Sequence, residues 1–255
     1  MSSLGAGDLP ALASAKHAAG VTVSVCIPAR NEASTVAGVV KTLVDTLVRG
    51  CGLVDEVVVV DDGSTDDTGA AAAEAGARVL RRSGPPGKGR AMVDAGRATT
   101  GDLVVFLDAD VRNFGPHFVS GLLAPLLVDE AVVLVKGVYR RPLHGVADEG
   151  GRVTELLARP LLARLFPDLA FVAQPLAGEV AIRRSALARL VLEPGYGVEI
   201  GMLIDVGRRF GASAVAQVDL GERVHRNRPL RELVHQAGEV VAATLDRAGC
   251  GPGPP

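Results

Sequence analysis

The sequence predicts an α/β fold in which a mainly parallel β-sheet is covered by helices. Two observations predict it: short apolar runs alternate with helix-like segments, and the links between them are short. With 255 residues, 48% of them hydrophobic, the chain is long enough for one sizeable core. Ligands of such sheets bind beyond the carboxyl ends of the strands. Functional residues are therefore expected at that edge.

Four strands are predicted in the first half of the chain, because these segments are rich in valine, isoleucine and leucine and end at polar turns. They span residues 21–27, 55–60, 78–80 and 102–107. A helix is expected after each of the first three strands, ending near Val48, Ala75 and Ala98. Gly76 is placed to stop the second helix, because glycine accepts the left-handed backbone common at helix ends.

From about Val111 the pattern becomes mixed. Further helices are predicted over residues 116–127, 152–165, 198–210 and 230–247, and further strands over 132–136, 180–182 and 214–218. Pro160 should kink or divide the second of these helices, because proline cannot donate a backbone hydrogen bond. The predicted organisation is a flexible segment (1–20), a first half (21–112), a second half of the same domain (113–247) and a disordered tail (248–255).

Composition excludes several classes of function. A net charge of −2 provides no overall attraction to nucleic acid, and six Phe, two Tyr and no Trp supply few platforms for stacking bases. The three cysteines show no paired or metal-type spacing, which favours a reduced, cytoplasmic setting. The sequence shows no secretory signal pattern and no membrane-length apolar stretch. These features favour a small charged ligand over a polymer.

Asp108-Ala109-Asp110 is the most informative motif, because it directly follows the apolar run 104–107. A buried strand would deliver two carboxylates, one residue apart, to its exit. Carboxylate oxygens suit a hard divalent cation such as Mg²⁺ or Mn²⁺, which can hold a diphosphate leaving group. A solvated acidic turn is the alternative for this motif taken alone.

Three further motifs follow strands or open helices at the same edge. Pro28-Ala29-Arg30-Asn31-Glu32 follows the first strand, and its Asn and Glu can hydrogen-bond a base or ribose. Asp61-Asp62-Gly63-Ser64-Thr65-Asp66 follows the second; helix capping explains its last three residues but not two consecutive carboxylates. Lys88, after a Gly/Pro loop, can meet a phosphate at a helix start, although the loop lacks the spacing of a nucleoside triphosphatase.

A basic segment, Arg223-Val224-His225-Arg226-Asn227-Arg228, stands out in a slightly acidic chain. In a strand, Arg223, His225 and Asn227 would share one face. Guanidinium groups at this density suit an anionic ligand, although a solvated basic turn is also compatible with the pattern.

Together, the motifs of residues 21–112 resemble the nucleotide-sugar-binding half of family 2 glycosyltransferases with the GT-A type of Rossmann-like fold. The second half resembles the glucosyl-3-phosphoglycerate synthase family through four segments: Gly150–Leu156, Gln174–Glu179, Gly195–Gly201 and His225–Pro229. The resemblance implies a metal-dependent, retaining transfer of glucose from a nucleoside diphosphate, with UDP as the expected base, to the 2-hydroxyl of 3-phosphoglycerate. It also implies a homodimer. The residues alone leave the base, the metal and the anomeric outcome open.

The resemblance also implies roles for individual residues. Contacts to the nucleotide sugar are expected from Pro28, Ala29, Asn31, Glu32, Asp62, Lys88, Asp108, Leu176, Ala177 and Gly178. Contacts to the acceptor are expected from Gly151, Arg152, Thr154, Arg223 and Asn227. Asp110 and His225 would bind the Mg²⁺ or Mn²⁺ ion, so Asp110 counts as catalytic, together with Glu199. Glu199 would orient glucose or stabilise oxocarbenium-like charge in a retaining enzyme, whereas in an inverting enzyme it would be the general base.

Two other functions are compatible with parts of the sequence. One is an inverting family 2 transferase acting on a polyprenyl phosphate or another small acceptor. The other is a non-catalytic regulatory protein that binds a nucleotide sugar. The presence of Asp108, Asp110, Glu199 and His225 argues against the second. Arg30, Arg90 and Asp62 depart from the resembled pattern, which affects the choice of base more than the class of reaction.

Overall fold

The computed structural model describes residues 7–141, 151–224 and 230–251. Within these ranges the strands are β1 (Val23–Ala29), β2 (Glu56–Asp61), β3 (Arg78–Arg81), β4 (Leu103–Phe106), β5 (Leu134–Arg140), β6 (Val180–Arg183) and β7 (Val215–Glu222). They form one sheet in the order β3-β2-β1-β4-β6-β5-β7. All pairings are parallel except those of β6, which is antiparallel to both β4 and β5. The prediction of a mainly parallel sheet is confirmed.

The described helices connect these strands. They are α1 (Leu9–Ala18), α2 (Val36–Thr42), α3 (Thr68–Glu74), α4 (Lys88–Ala98), α5 (His117–Val128), α6 (Arg159–Leu165), α7 (Arg184–Leu187), α8 (Val198–Phe210) and α9 (Leu230–Arg247). Helices α1 and α7 are additional to those predicted. Two π-helical segments, Leu43–Val48 and Thr154–Ala158, extend α2 and precede α6. Pro160, predicted to kink or divide the helix over residues 152–165, lies in the first turn of α6, and the helical segment continues through it without a break. None of the helices in the described ranges is long and apolar enough to cross a membrane.

The helices cover both faces of the sheet because side chains alternate along each strand. In β1, Val25 and Ile27 join the apolar cluster that includes Leu12 and Phe118, whereas Cys26 joins the cluster on the opposite face. All three strand residues are completely buried. The interior therefore consists of two helix layers with the sheet between them.

The N-terminal residues differ from the prediction. The expectation of a loose segment over residues 1–20 is wrong for Leu9–Ala18, which forms α1. Asp8 caps this helix by accepting a hydrogen bond from the Ala11 N–H at 3.0 Å, and Leu12 is fully buried. Lys16 pairs with Asp55 at 2.6 Å. These long-range contacts hold a segment whose composition alone suggests flexibility.

Strands β1 and β5 run further than predicted. Pro28 and Ala29, expected in a loop, are the last residues of β1, and proline is tolerated there because the pairing of β1 with β4 ends at Cys26. Strand β5 continues to Arg140 because β7 pairs along it, up to the Arg140–Glu222 pair. These extensions bring Tyr139 and the residues after β5 to the carboxyl edge, where β1, β2 and β4 also end.

Candidate active site

A cleft of about 490 Å³ opens at the carboxyl ends of β1, β2 and β4. Most residues that the sequence marked as functional line it. They are Pro28, Ala29, Glu32, Asp62, Lys88, Asp108, Asp110, Gly151, Arg152, Thr154, Leu176, Glu199 and Arg223. Motifs from distant parts of the chain therefore form a single site, as parallel strands ending at one edge require.

Asp108 is the centre of the charge network in this cleft. It leaves the end of β4, and its two carboxylate oxygens face different cations: Oδ1 lies 2.5 Å from Lys88 Nζ, and Oδ2 lies 2.7 Å from Arg223 Nη2. Burial alone would raise the pKa of Asp108, but the two cations outweigh it and hold that pKa well below its usual range. Asp108 is therefore ionised whenever the protein is folded near neutral pH.

Lys88, at the start of α4, connects Asp108 to Glu199. Its Nζ also lies 2.5 Å from Glu199 Oε1, in the first turn of α8, and Glu199 is only 5% exposed. Burial would lower the pKa of Lys88, but the carboxylates of Asp108 and Glu199 raise it above its usual value. The lysine stays charged and fixes the distance between two carboxylates that would otherwise repel each other.

Arg223 holds three carboxylates together on the other side of Asp108. Its Nη2 lies 2.8 Å from Asp110 Oδ1 as well as contacting Asp108, and its Nε lies 3.1 Å from Glu179 Oε1. Arg223 and Glu179 are both buried. Burial would lower the pKa of Arg223, but the carboxylates around it, Glu179 first, raise that pKa well above its usual value. The pKa of the Glu179 carboxyl is also raised, because its complete burial outweighs the attraction of Arg223.

The segment 176–178 supports Asp108 from behind. Leu176 lines the cleft, whereas Ala177 is completely buried and its carbonyl accepts a hydrogen bond from Lys136 Nζ at 2.8 Å. A Cβ on Gly178 would lie 2.4 Å from both carboxylate oxygens of Asp108. Only glycine allows this backbone to pass so close to the aspartate.

Of the residues expected at the nucleotide, Asp62 lines the cleft but Asn31 does not. Asp62 lines the cleft while it pairs with Arg82 and accepts a hydrogen bond from the Gly87 N–H at 2.7 Å, so it also anchors the loop before Lys88. Asn31 lies outside the lining of the cleft. It has a left-handed φ of 56°, and its side-chain oxygen accepts a hydrogen bond from the Thr65 N–H at 2.9 Å. This contact joins the loops that follow β1 and β2.

The expected acceptor residues lie at the opposite end of the cleft. Gly151, Arg152 and Thr154 line it at the start of the π-helical segment that precedes α6. Thr154 is buried. His225 and Asn227, assigned by the sequence to the metal and the acceptor, lie outside the described residues.

The residues at the exit of β4 fit a divalent cation. Asp110 engages Arg223 through Oδ1, and its side chain is 22% exposed towards the cleft. Its carboxylate is the hard oxygen donor that Mg²⁺ and Mn²⁺ prefer. Within the ranges 7–141, 151–224 and 230–251, no three His, Cys, Asp or Glu side chains cluster as a complete ligand set. A cation on Asp110 therefore needs ligands from bound substrate or from residues beyond those ranges.

Sequence reasoning assigned no role to several charged residues of this site. Lys136 and Glu179 are buried behind the cleft, and Arg141 lines it. Glu179 belongs to a segment that supported the resemblance, but its contact with Arg223 depends on the antiparallel placement of β6 between β4 and β5. One feature of the sequence points to Arg141. It directly follows a strand, and the site lies where the parallel strands of this sheet end.

Comparison with known proteins identifies relatives of the whole chain. The family model described as "Glycosyl transferase family 2" matches residues 24–189. The chain is 51% identical over 245 residues to the glucosyl-3-phosphoglycerate synthase of Mycobacterium tuberculosis (strain CDC 1551 / Oshkosh), an alignment that covers 91% of this chain and 75% of that protein.

Solved structures of the Mycobacterium tuberculosis synthase also match this chain. A crystal structure of the Mycobacterium tuberculosis synthase with Mn²⁺, UDP-glucose and phosphoglyceric acid has a TM-score of 0.87 and 48% identity, covering 95% of this chain and 84% of that one. Another, with Mn²⁺, UDP and glucosyl-3-phosphoglycerate, has a TM-score of 0.88 and 47% identity, covering 99% and 87%. These matches confirm the GT-A type of fold. The chain belongs to glycosyl transferase family 2 and, within it, to the glucosyl-3-phosphoglycerate synthase family.

Proposed function

We propose that this protein transfers glucose from UDP-glucose to the 2-hydroxyl of 3-phosphoglycerate, with Mg²⁺ or Mn²⁺ bound, and retains the anomeric configuration. The observation that carries the proposal is the network in which Lys88 and Arg223 share Asp108 at the centre of the cleft. It stands at the strand exits where a nucleotide sugar binds in this type of sheet. The relatives that share nearly half of the sequence hold UDP-glucose and phosphoglyceric acid in crystals.

The donor is assigned to the end of the cleft formed by β1, β2 and α4. Pro28, Ala29, Asn31, Glu32 and Asp62 would surround the nucleotide, with Asn31 acting through the backbone it fixes. The glucose would lie against the segment 176–178. Asp108, ionised and directed into the cleft, would accept hydrogen bonds from sugar or ribose hydroxyls, while Lys88 would orient both Asp108 and Glu199.

The cation is assigned to Asp110 and His225. When bound together with the diphosphate, it would neutralise the negative charge that develops on the leaving UDP. Arg223 supports this arrangement from the protein side, because it holds the Asp110 carboxylate at 2.8 Å and keeps it beside Asp108. The geometry at Asp110 is thus fixed by protein contacts before any ligand arrives.

The acceptor is assigned to Gly151, Arg152, Thr154, Arg223 and Asn227. A phosphorylated hydroxy acid carries a phosphate and a carboxylate, so it needs cationic and N–H donors. The start of a helical segment supplies backbone N–H groups, and the arginines supply charge. The reacting hydroxyl would then point towards the donor glucose, between the two ends of the cleft.

The position of Glu199 favours retention of the anomeric configuration of glucose. Its Oε1 is already engaged by Lys88, and the side chain is 5% exposed, so Glu199 would act as a hydrogen-bond acceptor for glucose. The acceptor proton would pass instead to an oxygen of the departing diphosphate. In an inverting enzyme, Glu199 would have to take that proton as a general base.

We further propose that the protein acts in the cytoplasm as a homodimer, with residues 21–112 serving the nucleotide sugar and 113–247 the acceptor. Two exposed apolar side chains one helical turn apart on α9, Leu230 (66% exposed) and Val234 (67% exposed), support self-association. Light scattering at several protein concentrations tests this, and a constant monomer mass would reject the dimer.

The activity is tested by measuring UDP release from UDP-, GDP- and ADP-glucose with 3-phosphoglycerate, glycerate or a sugar phosphate as acceptor. Release is expected to require UDP-glucose and a divalent cation, and to be far more efficient with 3-phosphoglycerate than with glycerate or a sugar phosphate. An Arg152→Ala variant should mainly raise the KM for 3-phosphoglycerate, and a change confined to the KM for UDP-glucose would overturn the acceptor assignment. Tight UDP binding without turnover on any acceptor would instead indicate a regulatory protein.

A further inference from the structure

A second cavity adjoins the acceptor end of the cleft. It has a volume of about 330 Å³ and shares three lining residues with the cleft, namely Arg141, Gly151 and Thr154. Arg159 lines only the second cavity. Arg141 therefore lies, together with Gly151 and Thr154, where the two spaces meet.

Tyr139 fixes the orientation of Arg141. The Arg141 Nη2 donates a hydrogen bond to the Tyr139 hydroxyl at 2.8 Å, and its guanidinium carbon lies 4.8 Å from the centre of the Tyr139 ring. The tyrosine itself is only 2% exposed, so it provides a rigid support. Burial raises the pKa of Tyr139 to about 12, which keeps the hydroxyl protonated at any physiological pH.

Among the described residues, Arg141 does not use all of its hydrogen-bond donors. Its Nε is buried and has no hydrogen-bond partner among the described residues, and none of their carboxylates pairs with it. Two nearby arginines are held by carboxylates: Arg159 pairs with Glu155 at 2.6 Å, and Arg223 Nη2 contacts Asp108 and Asp110 at 2.7 and 2.8 Å. The hydrogen bond to Tyr139 therefore leaves the Arg141 guanidinium with donor capacity for an anionic ligand in the adjoining cavities.

The backbone beside Arg141 adds further donors. Gly151 has a φ of 78°, and a Cβ at this position would lie 3.2 Å from Arg141 Nη1. The helical turn begins here, since the Glu155 N–H donates to the Gly151 carbonyl at 3.0 Å. Glycine thus allows the guanidinium to lie against the start of the helical segment, where backbone N–H groups favour negative charge.

We propose that Arg141 binds the phosphate of the acceptor and thereby selects a phosphorylated hydroxy acid over an unphosphorylated one. This inference rests on the proposed function. In 3-phosphoglycerate, the reacting hydroxyl must face the donor glucose near Asp108 and Glu199. The carboxylate is attached next to the carbon that bears this hydroxyl, whereas the phosphate lies one carbon and one oxygen further away. The phosphate therefore extends towards the junction of the two cavities, where Arg141 stands.

The test compares the wild type with Arg141→Met, which keeps an unbranched apolar stem and removes the guanidinium charge. The acceptors are 3-phosphoglycerate and D-glycerate, and kcat/KM is measured for each. Loss of a charge-assisted contact should lower kcat/KM for 3-phosphoglycerate by roughly 10- to 100-fold, mainly through KM. The value for D-glycerate and the KM for UDP-glucose should stay within about two-fold of wild type, because neither depends on the phosphate contact.

Arg159→Met is the matched control, because Arg159 lines the same cavity but is already paired with Glu155. It should change kcat/KM for 3-phosphoglycerate by less than about three-fold. Arg141→Lys should recover part of the lost kcat/KM, since it restores the charge without the planar fork. Unchanged UDP binding and an unchanged melting temperature would show that the Arg141→Met variant is folded.

Two results would overturn the inference. An unchanged KM for 3-phosphoglycerate in Arg141→Met would remove Arg141 from the acceptor site. Equal losses with 3-phosphoglycerate and D-glycerate would assign Arg141 to the carboxylate, not to the phosphate. Failure of the proposed function is a separate outcome, since it appears as absent turnover of 3-phosphoglycerate by the wild type. In that case, calorimetric titration of both proteins with 3-phosphoglycerate still decides the role of Arg141.

Discussion

Lys136 lies in the middle of β5 with 1% of its surface exposed, and its ammonium group supports the segment behind the donor site. Its Nζ donates to the Ala177 carbonyl at 2.8 Å. Burial lowers the pKa of Lys136 from 10.5 to about 8, because the nearby carboxylates offset only part of the cost of removing the charge from water. Replacing Lys136 with methionine removes this titration and keeps a side chain of similar length.

The size and sign of the effect follow from that pKa. A fall from 10.5 to about 8 makes the charged lysine about 3 kcal/mol less stable in the folded than in the unfolded chain. Between these two pH values the unfolded chain binds the proton that the folded chain has released, so the free energy of unfolding of the wild type rises with pH. The Lys136→Met variant lacks this rise. It does lose the donor to Ala177, at a pH-independent cost of about 1–3 kcal/mol.

The assay is urea unfolding of both proteins at intervals from about pH 7 to about pH 10.5. The free energy of unfolding of the wild type minus that of Lys136→Met should increase by about 3 kcal/mol over this range, while the effects of all other titrating groups cancel. Lys41→Met is the control for replacing a lysine with methionine at the surface, since Lys41 is 74% exposed. A flat curve for Lys136→Met would contradict this prediction, because it would mean that Lys136 keeps an ordinary pKa.

The remaining predictions concern turnover. Asp110→Asn should lower kcat by at least about 100-fold and raise the metal concentration needed for half-maximal activity, because a neutral amide is a weak ligand for Mg²⁺. Unaltered activity of the wild type after treatment with a chelator would reject the metal role. Lys88→Gln should lower kcat by about 100-fold, because Asp108 and Glu199 lose the positive charge that Lys88 places between them. A change in only the KM for 3-phosphoglycerate would contradict this role. Gly178→Ala should displace Asp108, because its Cβ would collide with that carboxylate, and should reduce kcat/KM for UDP-glucose by about 10-fold or more. Gly38→Ala is the control, since a Cβ at Gly38 meets open space, and it should behave as wild type in the same assay.

The placement of the Asp108–Asp110 motif was predictable from sequence, because a parallel sheet brings the ends of its strands to one edge. The apolar run before it and the polar turns after β1 and β2 were enough to predict one site. The resemblance added the second half of the cleft, including Glu199 and Arg152. His225 and Asn227 remain predictions, since they lie outside the described residues.

Contacts that depend on tertiary structure were not predictable. Glu179 meets Arg223 only because β6 enters the sheet antiparallel between β4 and β5, and no local pattern specifies that insertion. Arg141 belongs to no motif, and its environment is set by the extension of β5 to Arg140 along β7. Helix α1 was missed because Ala- and Gly-rich composition suggested a loose segment, while its stability depends on Leu12 and the Lys16–Asp55 pair.

The direct test of the account is to identify the product formed from UDP-glucose and 3-phosphoglycerate by nuclear magnetic resonance, with and without a divalent cation. We expect glucose joined to the hydroxyl on carbon 2 of the acceptor, an anomeric proton with the small coupling of the α configuration, and no product after the metal is chelated. A β-linked product, a metal-independent reaction or release of free glucose alone would contradict the account.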